Sequence, residues 1–187
     1  MERPKEAPVS IHWFSQTLGP GRGLEILFQA LERLEGSWEV HLRGNLKGYE
    51  GWLDKACPAS VMGRLKVHGL VENKELLSRI AEHDIGYAGE LAEPPSRYLT
   101  ITNKFFQYIQ GGLAVVASDT AGQVEGASEA KGAILNFRNG ESISLAERVG
   151  RLLRDRGALQ KMRQSAWNAG ARLTWENESQ RILAAWP

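Results

Sequence analysis

The sequence predicts an α/β fold: a doubly wound, Rossmann-like parallel sheet of about six strands, with helices on both faces and further helices at the C-terminus. Three observations predict it. Short apolar runs rich in β-branched and aromatic residues alternate with stretches whose apolar residues recur every three or four positions. The turns between them are short, so successive strands run parallel, each step requiring a right-handed helical crossover. Finally, the first apolar run ends in a glycine-rich loop that opens a helix, as phosphate-binding loops do.

The elements follow in order. SIHWFSQT (10–17) reads as the first strand, and after the glycine loop Leu24, Leu27, Phe28, Leu31 and Leu34 recur at helical spacing. WEVHLRGN (38–45) is a second strand; in it His41 and Arg43 alternate with Val40 and Leu42, so one face is expected to be partly open. Residues 49–57 read as a short helix and 64–71 as a third strand, after which Asn73 starts a helix through Leu76, Leu77 and Ile80. DIGYAGEL (84–91) is the fourth strand. A proline-broken loop, EPPSRYLTIT (93–102), leads to the helix NKFFQYIQGG, stopped by two glycines. LAVVASDT (113–120) is the clearest strand, and GAILNF (132–137) makes a sixth. From Ser144 the apolar residues describe successive helices, ending on Trp175, Ile182, Leu183 and Trp186.

The chain has 187 residues, 42% of them hydrophobic, enough for one well-buried domain. It is expected over 10–187, with 1–9 reading as an interdomain linker cut open, so the chain reads as a piece of something longer. The net charge of +1, from 23 basic and 22 acidic residues dispersed along the chain, speaks against nucleic acid or a membrane as a whole-surface partner. Cys57 stands alone, so there is no internal disulfide and no zinc signature, and a buried thiol is expected. His12, His41, His68 and His83 lack metal-ligand spacing and are expected as satisfied core or rim residues; no metal is predicted. No stretch approaches the roughly 18 apolar residues of a membrane span, and the first ten residues carry no signal-peptide core. A cytoplasmic protein is expected.

Ligands of such sheets bind beyond the carboxyl ends of the strands, where strand order reverses. Two segments should meet there: the glycine loop with Arg22, and the helix start that carries Lys104. Each cation lies in or beside the first turn of a helix, where the macrodipole disfavours it by about 0.3 to 1 kcal/mol. A bound anion reverses that sign. Backbone N–H groups at Gly21 and Gly23, with Thr102 or Asn103 as cap, would complete a diphosphate site. Which phosphate is not a dinucleotide's or a P-loop's: Gly19, Gly21 and Gly23 precede Leu24, so the third glycine falls one place early, and no Gly-Lys-Ser/Thr follows. The second strand ends in Gly44-Asn45, without the acid that a nicotinamide cofactor's ribose requires. Glu90 and Glu93 are minor acid–base candidates near the cleft.

NKFFQYIQGGLAVVASDTAG (103–122) resembles the segment of GT-B glycosyltransferases, of the large retaining family four, that runs from an Asn-Lys pair through a helix to Val-Val and Ala-Ser-Asp. GPGRGLEILFQAL (19–31) resembles the same enzymes' first-strand loop, and the likeness covers nearly the whole chain. It implies a C-terminal half that binds a nucleoside diphosphate sugar, UDP- or GDP-linked. An absent N-terminal half would hold the acceptor, a glycan or lipid-linked sugar, with the full enzyme peripheral at the inner face of the membrane. By position, Arg22 matches the basic residue opening the phosphate helix, Gly21 and Gly23 its close-approach backbone, and Asn103 and Lys104 the Asn-Lys pair. Gln107 falls on the second glutamate of the family's Glu-x7-Glu motif, which contacts the ribose, and Leu99 on the first. Ser15-Gln16 replaces a family arginine, and Ala114 the common proline. The implied reaction is glycosyl transfer with retention, the leaving diphosphate stabilised by Arg22 and Lys104, with no metal and no cofactor, since the nucleotide sugar is a substrate. The other readings are a degenerate nucleotide-binding or scaffold module and a sugar-nucleotide epimerase on the same fold.

Overall fold

The computed structural model describes residues 6–186; Met1–Lys5, part of the linker expected over 1–9, and Pro187 lie outside the described residues. The chain forms β1 (Val9–Thr17), α1 (Leu24–Leu31), β2 (Trp38–Asn45), α2 (Trp52–Ala56), α3 (Ala59–Met62), β3 (Leu65–His68) and α4 (Asn73–Ile80). Then come β4 (Ile85–Ala88), α5 (Pro95–Leu99), α6 (Asn103–Gln110), β5 (Ala114–Ser118), α7 (Ala121–Glu129) and β6 (Ile134–Phe137). Three helices close it: α8 (Ser142–Arg154), α9 (Arg156–Gly170) and α10 (Trp175–Ala185). Val9 belongs to β1 and not to a linker: its side chain is buried and its N–H donates to Ser37 O at 3.0 Å.

The six strands form one sheet in the order β3-β2-β1-β4-β5-β6, every pair parallel. Strand order therefore reverses between β1 and β4. Alternation within strands divides the core in two. Val9, Ile11, Trp13, Val40 and Leu42 face α1 and α8, packing on Leu24, Leu27, Phe28, Leu145 and Leu152. On the other face Val115 and Ala117 pack with Phe105, Tyr108 and Ile109 of α6 and Ala166 and Ala169 of α9. Asp84, at the start of β4, ties the layers together. Its Oδ2 accepts from Ser10 N and Ser10 Oγ, both at 3.0 Å, and its Oδ1 from Arg163 Nη1 of α9 at 3.0 Å.

Three helices differ from expectation. α5 forms inside the proline-broken stretch, because Pro95 occupies the first turn, where no N–H is needed. α3, with four residues, is too short to show a period. α7 carries Ala121, Gly122, Gln123 and Gly126, hence little apolar periodicity; its glycines allow close approach, a Cβ at Gly122 falling 2.5 Å from the Thr100 carbonyl carbon.

The face of β2 expected to be open is closed: His41 is 8% and Arg43 7% exposed. All four histidines meet there in one row. His12 stacks on His83 (ring centroids 4.5 Å), His83 meets His41 (4.4 Å), and His41 stacks on His68 (5.1 Å), with His41 Nδ1 and His68 Nε2 2.9 Å apart. His12 is not a satisfied core residue, since neither of its ring nitrogens has a hydrogen-bond partner. Burial, helped by His83 and Arg43, holds its pKa well below 6.5, so the ring is neutral. Cys57 is buried as expected, its thiol pushed up to about 11 by burial and Glu32. Among the described residues no helix is long and apolar enough to cross a membrane.

Candidate functional site

The loop that leaves β1 is clamped to the end of β4 at the point of strand reversal. Gly23 adopts φ +79°, and its carbonyl accepts from the buried Tyr87 hydroxyl at 2.8 Å. A Cβ at Gly23 would lie 2.7 Å from Gly89 O, so only glycine permits this approach. Gly21 also has positive φ, but its N–H is not free for a phosphate: it donates to Glu25 Oε1 at 3.1 Å. The Glu25 carboxylate, in the first turn of α1, takes the place expected of the ligand anion at that amide. Arg22 is exposed, and its Nη1 donates to Ser15 Oγ at 3.4 Å.

Lys104 lies in the first turn of α6, its Nζ 5.4 Å from the Trp13 ring centroid and 6.0 Å from that of Phe14. Burial pushes its pKa down, and Arg22 and Arg97 push the same way, against Glu90. Among the described residues no carboxylate lies within ion-pair distance of it. Arg97 was not foreseen. Its Nη1 donates to Gly21 O at 3.0 Å and its Nε lies 3.8 Å from Glu90 Oε1, so α5 brings a third cation to the glycine loop. The available signal was Pro94-Pro95, which can open a helix as well as break one.

Thr102, and not Asn103, is the N-cap residue of α6; its hydroxyl makes no cap bond and is buried without a partner. Asn103 is exposed at the first helical position. Gln107, one turn beyond Lys104, has a buried Oε1 with no partner. Ser15, Thr102, Asn103, Lys104 and Gln107 all line a cavity of about 910 Å³ that runs from β1 across β2 to the segment after β3. Gly21, Arg22 and Gly23 do not line it; Arg22 reaches it through Ser15. The structure thus brings together Lys104 and, by way of Ser15, Arg22, the unused buried oxygens of Thr102 and Gln107, and space for a ligand of nucleotide size. Leu99, where the resemblance places an acid, is 70% exposed at the end of α5 and does not line the cavity.

No protein-family model matches the sequence, and a search of curated proteins finds no match. The fold is similar to that of solved glycosyltransferases, among them an isolated C-terminal domain. HepE from Anabaena, in complex with UDP, superposes with a TM-score of 0.77 at 21% identity, over 96% of this chain and 48% of that one. A glycosyltransferase from Rickettsia africae gives 0.73 at 12% identity, over 97% and 47%. The C-terminal domain of the group 1 glycosyl transferase LpcC from Francisella tularensis gives 0.61 at 15% identity, over 90% and 88%. The chain spans about half the length of the HepE and Rickettsia proteins.

Proposed function

We propose that this chain is the nucleotide-sugar-binding half of a retaining glycosyltransferase, whose acceptor, a glycan or lipid-linked sugar, is held by a second domain. One observation carries the reading: Lys104, partly desolvated at a helix N-terminus, is opposed by Arg22 and Arg97 and favoured by Glu90 from a distance, with no carboxylate in ion-pair reach among the described residues. That arrangement is unfavourable until a dianion enters. A bound diphosphate accepts from Lys104 and Arg22, while Ser15 and Asn103 position it. Gln107 replaces a carboxylate as the acceptor for a ribose hydroxyl, and its unused Oε1 supports that role. As the bond between the sugar's anomeric carbon and the diphosphate oxygen breaks, the negative charge growing on the leaving group is balanced by these cations, so neither metal nor cofactor is required. HepE crystallises with UDP and with UDP-glucose, which supports a UDP-hexose donor here. The full enzyme would act on acceptors at the inner face of the membrane.

Calorimetric titration tests the reading. UDP is expected to bind the chain, and absence of any heat with UDP, GDP or ADP at millimolar concentration overturns it. A second reading, a nucleotide-binding module without turnover, is favoured by Leu99, which offers no hydrogen bond where an acid would stand. Binding of UDP without sugar transfer in the two-domain protein would decide for it.

A further inference from the structure

We propose that Arg43 sets the base selectivity of this cavity, donating a hydrogen bond to the C4 carbonyl of uracil; the inference rests on the nucleotide reading above. The cavity has two chemically distinct ends. Lys104, Ser15 and Phe14 stand at the β1 end, whereas Leu70, Val71 and Leu76 line the side toward β3 and α4. A diphosphate belongs at the first end and a flat apolar ring at the second. Neighbouring strands are about 4.8 Å apart, so β1 to β3 spans about 10 Å, the reach of a nucleoside diphosphate from phosphate to base.

Arg43 lies between these ends, on β2, in register with Phe14 on one side and His68 on the other. It is buried, lines the cavity, and spends only part of its donor set: Nη1 donates to Gly69 O at 2.9 Å, while Nε is buried with no partner. Among the described residues no Asp or Glu lines the cavity. A guanidinium only donates, so the ligand edge facing it must accept. Uracil presents a carbonyl at C4, where cytosine presents an amino group, and adenine has no carbonyl at all. An amino group set against Arg43 leaves buried donors facing each other, and sites built to hydrogen-bond one group reject the analogue that lacks it.

The test is titration of UDP, CDP and ADP against wild-type protein and Arg43→Met. Wild type is expected to bind UDP about tenfold or more tighter than CDP or ADP. In Arg43→Met, UDP is expected to weaken about tenfold while CDP and ADP change less than about threefold, collapsing the preference. Equal losses for all three, an unchanged UDP affinity, or no preference in wild type overturns the proposal. If Arg43→Met does not fold, Arg43→Lys, which keeps the charge and loses the planar fork, must narrow the UDP-to-CDP ratio; an unchanged ratio overturns the proposal. Lys104→Ala, at the phosphate end, is expected to weaken all three ligands alike. A wild-type protein that binds none of them overturns the nucleotide reading itself, a result distinct from binding without base preference.

Discussion

Under the proposed function, Lys104 and Arg22 would serve one ligand by different means. Arg22 is exposed and held only by a 3.4 Å contact to Ser15, so Arg22→Ala is expected to weaken UDP by about 1 to 3 kcal/mol, the range of a charge-assisted contact, without changing the melting temperature. Titration alongside thermal melting checks both parts. Lys104 is partly buried among aromatic rings and is proposed to meet the diphosphate, so Lys104→Ala should weaken UDP more than UMP. Equal losses for the two nucleotides would indicate a general loss of structure and remove Lys104 from the site. Both candidates stood out in the sequence because a basic residue in or just before a helix's first turn runs against the macrodipole. That Arg43 lines the cavity was not legible in the sequence. A charged residue alternating with Val40 and Leu42 reads as one on an open face; in the fold Arg43 is 7% exposed and lines the cavity, and the same face carries the row of four histidines.

At the scale of elements, that row makes stability depend on pH. His12 and His68 both have pKa values depressed in the fold, first by burial and then by neighbouring histidines and Arg43; Glu82 opposes the shift at His68 and Lys66 adds to it. Below pH 6.5 the unfolded chain takes up protons at these sites and the folded chain does not. Stability is therefore complete above pH 6.5 and falls as the pH drops below it toward the folded values, by up to about 1.4 kcal/mol per pH unit for each histidine. Urea unfolding at pH 7.5 and 5.5 is expected to show this slope, and His12→Phe, which keeps a ring between Phe14 and His83, to reduce it. The contact of α5 with α7 yields another prediction. A methyl group at Gly122 would press on the Thr100 backbone, so Gly122→Ala is expected to shift α5, withdraw Arg97 from Gly21 O, and lower both UDP affinity and stability, the latter by about 1 to 3 kcal/mol. Melting and titration of one preparation measure both. The strands and the long helices were legible because each carries a full period of apolar residues, whereas α7 joins the fold through the lack of side chains at Gly122 and Gly126, which leaves no pattern to read.

At the scale of the whole molecule, the candidate cavity is walled by this chain on one side only. The cavity is formed by β1, β2, the segment after β3, α4 and the start of α6, and sugar transfer needs a second wall for the acceptor, so the 187-residue chain is expected to bind UDP and not to transfer sugar. α10 has no buried residue, and Trp175 (73% exposed), Leu183 (73%) and Trp186 (77%) stand in solvent. Such a surface is expected to bind ANS or to drive weak self-association, and a strictly monomeric, ANS-silent protein would remove this expectation. The order of the sheet was foreseeable only as far as its reversal; which strand lies beside β1 depends on partners distant in sequence. Asp84 shows how distant. It joins Ser10, 74 positions before it, to Arg163, 79 positions after it. On a ribosome, β1 can pair with β2 early, but β4 then brings a buried carboxylate whose guanidinium partner has yet to be synthesised. The nascent domain should therefore stay open, and vulnerable to protease, until α9 has cleared the exit tunnel, and close late in a single step.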